Sequence, residues 1–181
     1  MKLEFSLTKD DMLQMQLFMA SISEQVNKSR KKTKWRVPVA YAVLGIILAV
    51  TSEMVFGIIF FAFGILWFFF YPAILAKRYE KIYRKNVDEN LANRADKPVE
   101  LTFGNEYIES KDYTGEAKLK ISTIERVDEV RDYCFLKFDS GVGLVIPLNQ
   151  ISERNGFIAY IKTLAADNAI AYHTDLDWRW K

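Results

Sequence analysis

The apolar positions change period several times along the chain. Leu3, Phe5 and Leu7 alternate with Lys2, Glu4 and Ser6, the two-residue period of a half-buried strand. Thr8 and Asp11 then supply a capping box, and Met15, Phe18, Met19, Ile22 and Val26 recur at intervals of three and four. Residues 1–34 are therefore expected to form an N-terminal strand and an amphipathic helix. From Val37 to Ala76 the only strongly polar interruption is Thr51-Ser52-Glu53, which divides the run into apolar segments 35–52 and 54–76. At 1.5 Å per residue these extend roughly 27 and 35 Å, bracketing a hydrocarbon core of about 30 Å. The pair reads as a transmembrane hairpin with Glu53 in its turn. Pro38 falls near the start of the first segment, where its missing donor is harmless, and Pro72 near the end of the second, where a kink is expected. Trp35, Trp67 and Tyr71 are candidate interfacial anchors.

Beyond the hairpin, Tyr79, Ile82, Tyr83, Val87 and Leu91 continue a helical stripe over an extension, residues 77–97, that ends at Asp96-Lys97-Pro98. The period then returns to two. Val99, Leu101 and Phe103 alternate with polar residues, Gly104-Asn105 turns the chain into Tyr107–Asp112, and Tyr113-Thr114-Gly115 turns it into Ala117–Ile121. Asp139-Ser140-Gly141 joins Tyr133–Phe138 to Val142–Pro147, completing a β-meander. Phe157, Ile158, Ile161, Leu164 and Ala165 share one face of a final helix that would cap the sheet. Residues 173–181 read as a tail.

If the two amphipathic helices continue straight from the hairpin, they pair as a stalk of roughly 28 Å. Phe18 would then face Tyr83 or Val87, and Leu3, Phe5 and Leu7 would reach the edge of the sheet. In the alternative, Met15, Phe18, Met19, Ile22 and Val26 lie in the headgroup layer.

Charge sharpens the topology. Lys31, Lys32, Lys34 and Arg36 precede the apolar run and Lys77, Arg78 and Lys81 follow it, while the turn holds an acid and no base. The positive-inside rule places both flanks, and hence both termini, in the cytoplasm of a multi-pass inner (plasma) membrane protein. The first residues lack the pattern of a signal peptide, so insertion is expected to rely on the internal apolar segments. A soluble hairpin would require about 140 other residues to hide about forty nearly uninterrupted apolar ones.

Catalytic chemistry is not suggested. The single Cys134 and single His173 are too few for a cysteine cluster or a multi-histidine zinc site, and no nucleophile elbow or phosphate-cradling loop is present. No catalytic residue, metal ligand or cofactor is therefore expected. Cys134 reads as a small core residue and His173 as a solvated tail residue. Transport normally requires ionisable groups within the membrane, and between Val37 and Ala76 Glu53 of the turn is the only Asp, Glu, Lys, Arg or His. Gly45 with Ala49, and Gly57 with Gly64, are spaced for close packing within the hairpin.

The order of elements resembles the bacterial YcxB-like family over nearly the whole chain. The resemblance is carried by Leu101-Thr102-Phe103 with Tyr107-Ile108-Glu109, by Ile124-Glu125-Arg126-Val127, by Tyr133–Phe138, and by Val145-Ile146-Pro147 before the helix around Phe157. Ile121 stands where many relatives carry a tryptophan. The resemblance implies a pleckstrin-homology-like (PH-like) domain over residues 98–172, in a family of largely unknown function. The expected fold class is thus membrane α+β: a two-helix transmembrane hairpin with cytoplasmic helical extensions and a C-terminal PH-like β-meander capped by a helix.

Between Val99 and Ser152 six bases face ten acids, a net charge of about minus four. An anionic bilayer would repel that domain, and nucleic acid is disfavoured for the same reason. The expected role is a membrane-anchored, cytoplasm-facing protein-interaction module, with Glu125, Asp128, Glu129 and Asp132 as a recognition rim. The alternatives are a subunit of a membrane enzyme or transporter, and an anionic-lipid-binding module that holds headgroups at the basic flanks.

Overall fold

The computed structural model describes residues 1–51 and 54–180. The expected turn residues Ser52 and Glu53, and Lys181 of the tail, lie outside the described residues. Two compact units emerge: Met1–Met19 with Tyr83–Arg179, and Ala20–Ile82 with Trp180.

The first unit is β-rich. Strand β1 (Lys2–Ser6) pairs antiparallel with β2 (Pro98–Phe103), opposing Leu3 to Leu101 and Phe5 to Val99. Two hairpins continue this sheet through β3 (Tyr107–Asp112) to β4 (Gly115–Lys120), in the order β1-β2-β3-β4. The N-terminal segment therefore does become an edge strand. Its alternating apolar face, Leu3 and Phe5, is buried in the common core.

Consecutive antiparallel pairing is present, but the strands form two sheets where one was expected. A 3-10 turn, Ile121–Thr123, buries Ile121 and separates β4 from a second sheet. This sheet has the order β7-β6-β5-β8, formed by β5 (Ile124–Glu129), β6 (Tyr133–Phe138), β7 (Gly143–Pro147) and β8 (Ala171–Thr174). The chain returns to β8 by a helical crossover, so β8 lies parallel to β5. His173 is therefore a strand residue opposite Asp128, not part of a tail, although its side chain is exposed. The crossover helix α4 (Arg154–Asp167) buries Phe157, Ile158, Ile161 and Ala165. Phe157 and Tyr160 meet the Phe103 ring edge-on, placing the helix against the core.

Helix α1 (Lys9–Ile22) begins at the expected capping box. Thr8 N–H donates to Asp11 Oδ2 at 2.8 Å, and Asp11 N–H returns to Thr8 Oγ1 at 3.1 Å. Its buried residues include Leu13, Leu17 and Phe18, and Phe18 stacks on Phe135 at 4.2 Å. Phe18, one of the stripe residues expected either in a stalk or in the headgroup layer, is thereby packed into the β-rich unit. Within the same unit Asp10 pairs with Arg84 and Gln16 accepts from Asn86, which brings α1 beside the end of the helix expected to accompany it.

The predicted continuous helix to residue 34 is not observed. Ser23 is extended, and its Oγ accepts from Val26 N–H as the N-cap of a new helix, α2 (Glu24–Val50). Pro38 consequently sits inside α2, not at its start. Helix α3 (Met54–Asn86) runs unbroken past Pro72 and is followed by a π-helical turn, Val87–Leu91, and a 3-10 turn, Ala92–Arg94.

Candidate functional site

In the helical unit, α2 and α3 meet along glycines. A Cβ on Gly45 would lie 3.0 Å from the Gly57 carbonyl oxygen, and one on Gly64 would lie 3.4 Å from Tyr41 Cβ. Gly57 faces Ala49 as well as Gly45. The expected close packing within the hairpin is thus present, with small residues allowing backbone approach.

The surrounding side chains are arranged oppositely to those of a water-soluble domain. Gly45, Gly57, Gly64 and Tyr71 are the buried residues described in the two helices, whereas Leu44, Ile46, Phe56, Phe63 and Phe69 are exposed. Both helices are long and apolar enough to cross a membrane, and only 6% and 17% of their most apolar windows are buried. A soluble core helix would be mostly covered. An open cleft of about 380 Å³ between the helices is walled by Trp35, Pro38, Ala42, Gly64 and Phe68.

The basic residues expected to flank the apolar run sit on α2 and α3. Lys31, Lys32, Arg36, Lys77, Arg78 and Lys81 are exposed, while half-buried Lys34 places its ammonium 4.2 Å from the centre of the Phe68 ring. Trp35 meets Phe68 edge-on, and Trp67 stacks on Tyr71. Farther along the same unit, Arg30 covers the Trp180 ring, whose indole N–H donates to the Ala76 carbonyl at 2.9 Å.

The four proposed rim acids do not share one exposed surface. Glu125 pairs with Lys137 at 2.5 Å, and Asp128 is buried beneath the Arg126 guanidinium. Glu129 is also buried, accepting from Tyr172 Oη at 2.7 Å and pairing with Lys162 at 3.3 Å. Only Glu125 and Asp132 of the four are exposed. The correction has a physical cause: β8 and α4 bring Tyr172 and Lys162 to Glu129, partners that local sequence does not reveal.

Burial pushes the Glu129 carboxyl upward, but the Tyr172 and Lys162 interactions outweigh it and hold the group below its ordinary range. Burial and the Glu129 hydrogen bond raise the Tyr172 phenol. Tyr133 shows the same effect, raised by burial and by donation to Asp11 Oδ1 at 2.7 Å. Cys134 is wholly buried and its thiol is pushed up by desolvation, an environment that suppresses the reactive thiolate.

No protein-family model, curated protein or solved structure matches this chain.

Proposed function

We propose that the chain is a multi-pass inner (plasma) membrane protein whose β-rich unit is a cytoplasm-facing, PH-like module that docks another protein and performs no catalysis itself. The observation carrying this reading is the reversed packing of α2 and α3, with glycines inside and large apolar side chains outside. Water would oppose that arrangement, at about 25 cal/mol for each Å² of apolar surface left exposed, whereas hydrocarbon would not. The exposed bases at both flanks support cytoplasmic placement of both ends. The resemblance to YcxB-like proteins and the two sheets closed by α4 support the PH-like assignment.

Glu125 and Asp132 are the proposed contact positions within the β-rich unit. The other acids of the original rim act as internal partners. Photo-crosslinking residues at positions 125 and 132, used in intact cells, should capture one recurrent protein chain. Reporters fused at the two ends should both behave as cytoplasmic. An external reading at either end would overturn the topology, and absence of a recurrent crosslinked chain would overturn the docking role.

A further inference from the structure

The β-rich unit contains a cavity of about 160 Å³ between β1–β2 and β7, beneath α1. Met12, Met15, Leu91, Leu101, Leu144 and Val145 provide its apolar walls. Its volume is close to that of a roughly 150 Å³ protein cavity able to admit benzene, whereas a complete membrane-lipid chain would not fit. The two methionines give one wall an adaptable surface. Beside the cavity the Met19 side chain lies over β7, its Cε 2.6 Å from where a Cβ on Gly143 would stand.

The mouth has different chemistry. Arg94, Lys97, Ser110 and Asp112 reach it alongside Tyr113. Asp112 Oδ1 accepts from Thr114 N–H at 2.7 Å, Thr114 Oγ1 at 2.6 Å and Gly115 N–H at 3.2 Å, so its own turn occupies that oxygen. Arg94 donates to Thr114 at 2.9 Å but lies 3.9 Å from Asp112, a looser relationship than a bidentate ion pair. The Lys97 ammonium stands 5.5 Å from the Tyr113 ring centre, and both residues are exposed. Two cations against one internally occupied carboxylate leave an excess of positive charge beside an apolar chamber.

We infer that this cavity binds a small amphiphilic carboxylate, its ring or short alkyl body between the sheets and its anionic head at Arg94 and Lys97. Neither the membrane assignment nor the protein-docking role is required for this inference. Arg94 is suited to the head because a guanidinium offers several directed donors, whereas Lys97 supplies a mobile charge. The buried body contributes through exclusion of water, and the head sets orientation.

The test uses the full chain in detergent, with its methionine methyl groups labelled for NMR. Phenylacetate is compared with phenylacetamide, which retains the ring and lacks the charge. Phenylacetate should shift the Met12 and Met15 methyl signals saturably and bind at least tenfold more tightly than the amide. Arg94→Gln should remove most of that preference while leaving amide binding nearly unchanged. Leu144→Phe, or Met15→Phe should the first variant fail to fold, should weaken both compounds by filling the chamber. No saturable Met12 or Met15 response, equal binding of acid and amide, or a response confined to Met54 on α3 would overturn the proposal.

Discussion

A methyl group on Gly57 would stand 2.7 Å from the Gly45 carbonyl oxygen, and 3.0 Å from Ala49 Cβ. The contact with backbone leaves little room for relief by side-chain rotation. Gly57→Ile should therefore force α2 and α3 apart, costing about 1–3 kcal/mol or more. Ala62→Ile, at an exposed position on α3, should have little effect. Thermal denaturation in detergent distinguishes the two, and equal midpoints would refute the proposed seam.

Leu44→Arg separates membrane from aqueous surroundings by the sign of its effect. Leu44 is exposed on α2. In hydrocarbon an arginine near the middle of a span costs about 2.5–3.5 kcal/mol, so membrane recovery should fall. An exposed leucine in water would give the opposite result, with more soluble protein recovered after substitution. Fractionation of membranes measures the direction.

Asp11 connects the start of α1 to β6 by accepting from Thr8 and Tyr133. Tyr133→Phe preserves the ring contacts but removes one donor from this buried carboxylate. A destabilisation of about 1.5–3 kcal/mol is expected, the range for hydrogen bonds to charged groups. Asp11→Ala should cost more because it also removes the cap. Chemical denaturation of the two single variants and the double variant should reveal non-additivity, whereas strictly additive losses would contradict direct coupling.

Acid should weaken the β-rich unit through Glu129. Its folded carboxyl lies below the ordinary value near 4.5, because the Tyr172 and Lys162 interactions outweigh burial. The resulting stabilisation is fully present above the ordinary value and is lost as pH falls through the lower folded value. Asp112 contributes with the same sign, since hydrogen bonds from Thr114 and the charge of Arg94 outweigh its burial. Glu129→Gln should be less stable than wild type at neutral pH, yet lose less stability on acidification. Trp fluorescence during pH titration tests this, and parallel curves would exclude the assigned contribution.

Local periodicity made several relationships legible. The alternation of Leu3 and Phe5 indicated a strand with one buried face, and the spacings of Gly45, Ala49, Gly57 and Gly64 anticipated the helical seam. The break at Ser23 was obscured by an apolar stripe continuing on both sides, although Ser23-Glu24 contains an N-cap followed by a favourable acid. Strand β8 is four residues long, and its parallel partner arrives only after folding. Acidic composition suggested a rim, but it could not show that Glu129 would meet Tyr172 or that Asp128 would be covered by Arg126. The cavity was equally nonlocal: Met15, Leu101 and Leu144 become neighbours only when α1, β2 and β7 assemble.

The pairing of β1 with β2 also imposes an order on synthesis. Leu3 opposes Leu101, so the first strand leaves the ribosome roughly a hundred residues before its partner. At about 5–20 residues per second, that delay is on the order of 5–20 s, during which both apolar helices emerge. Until β2 arrives, Leu3 and Phe5 belong to an unpaired nascent segment exposed to chaperones and to other chains. Completion of the β-rich unit is thereby timed to follow synthesis of the hairpin, and α1 waits longer still, because Phe135, on which Phe18 stacks, is made after β2.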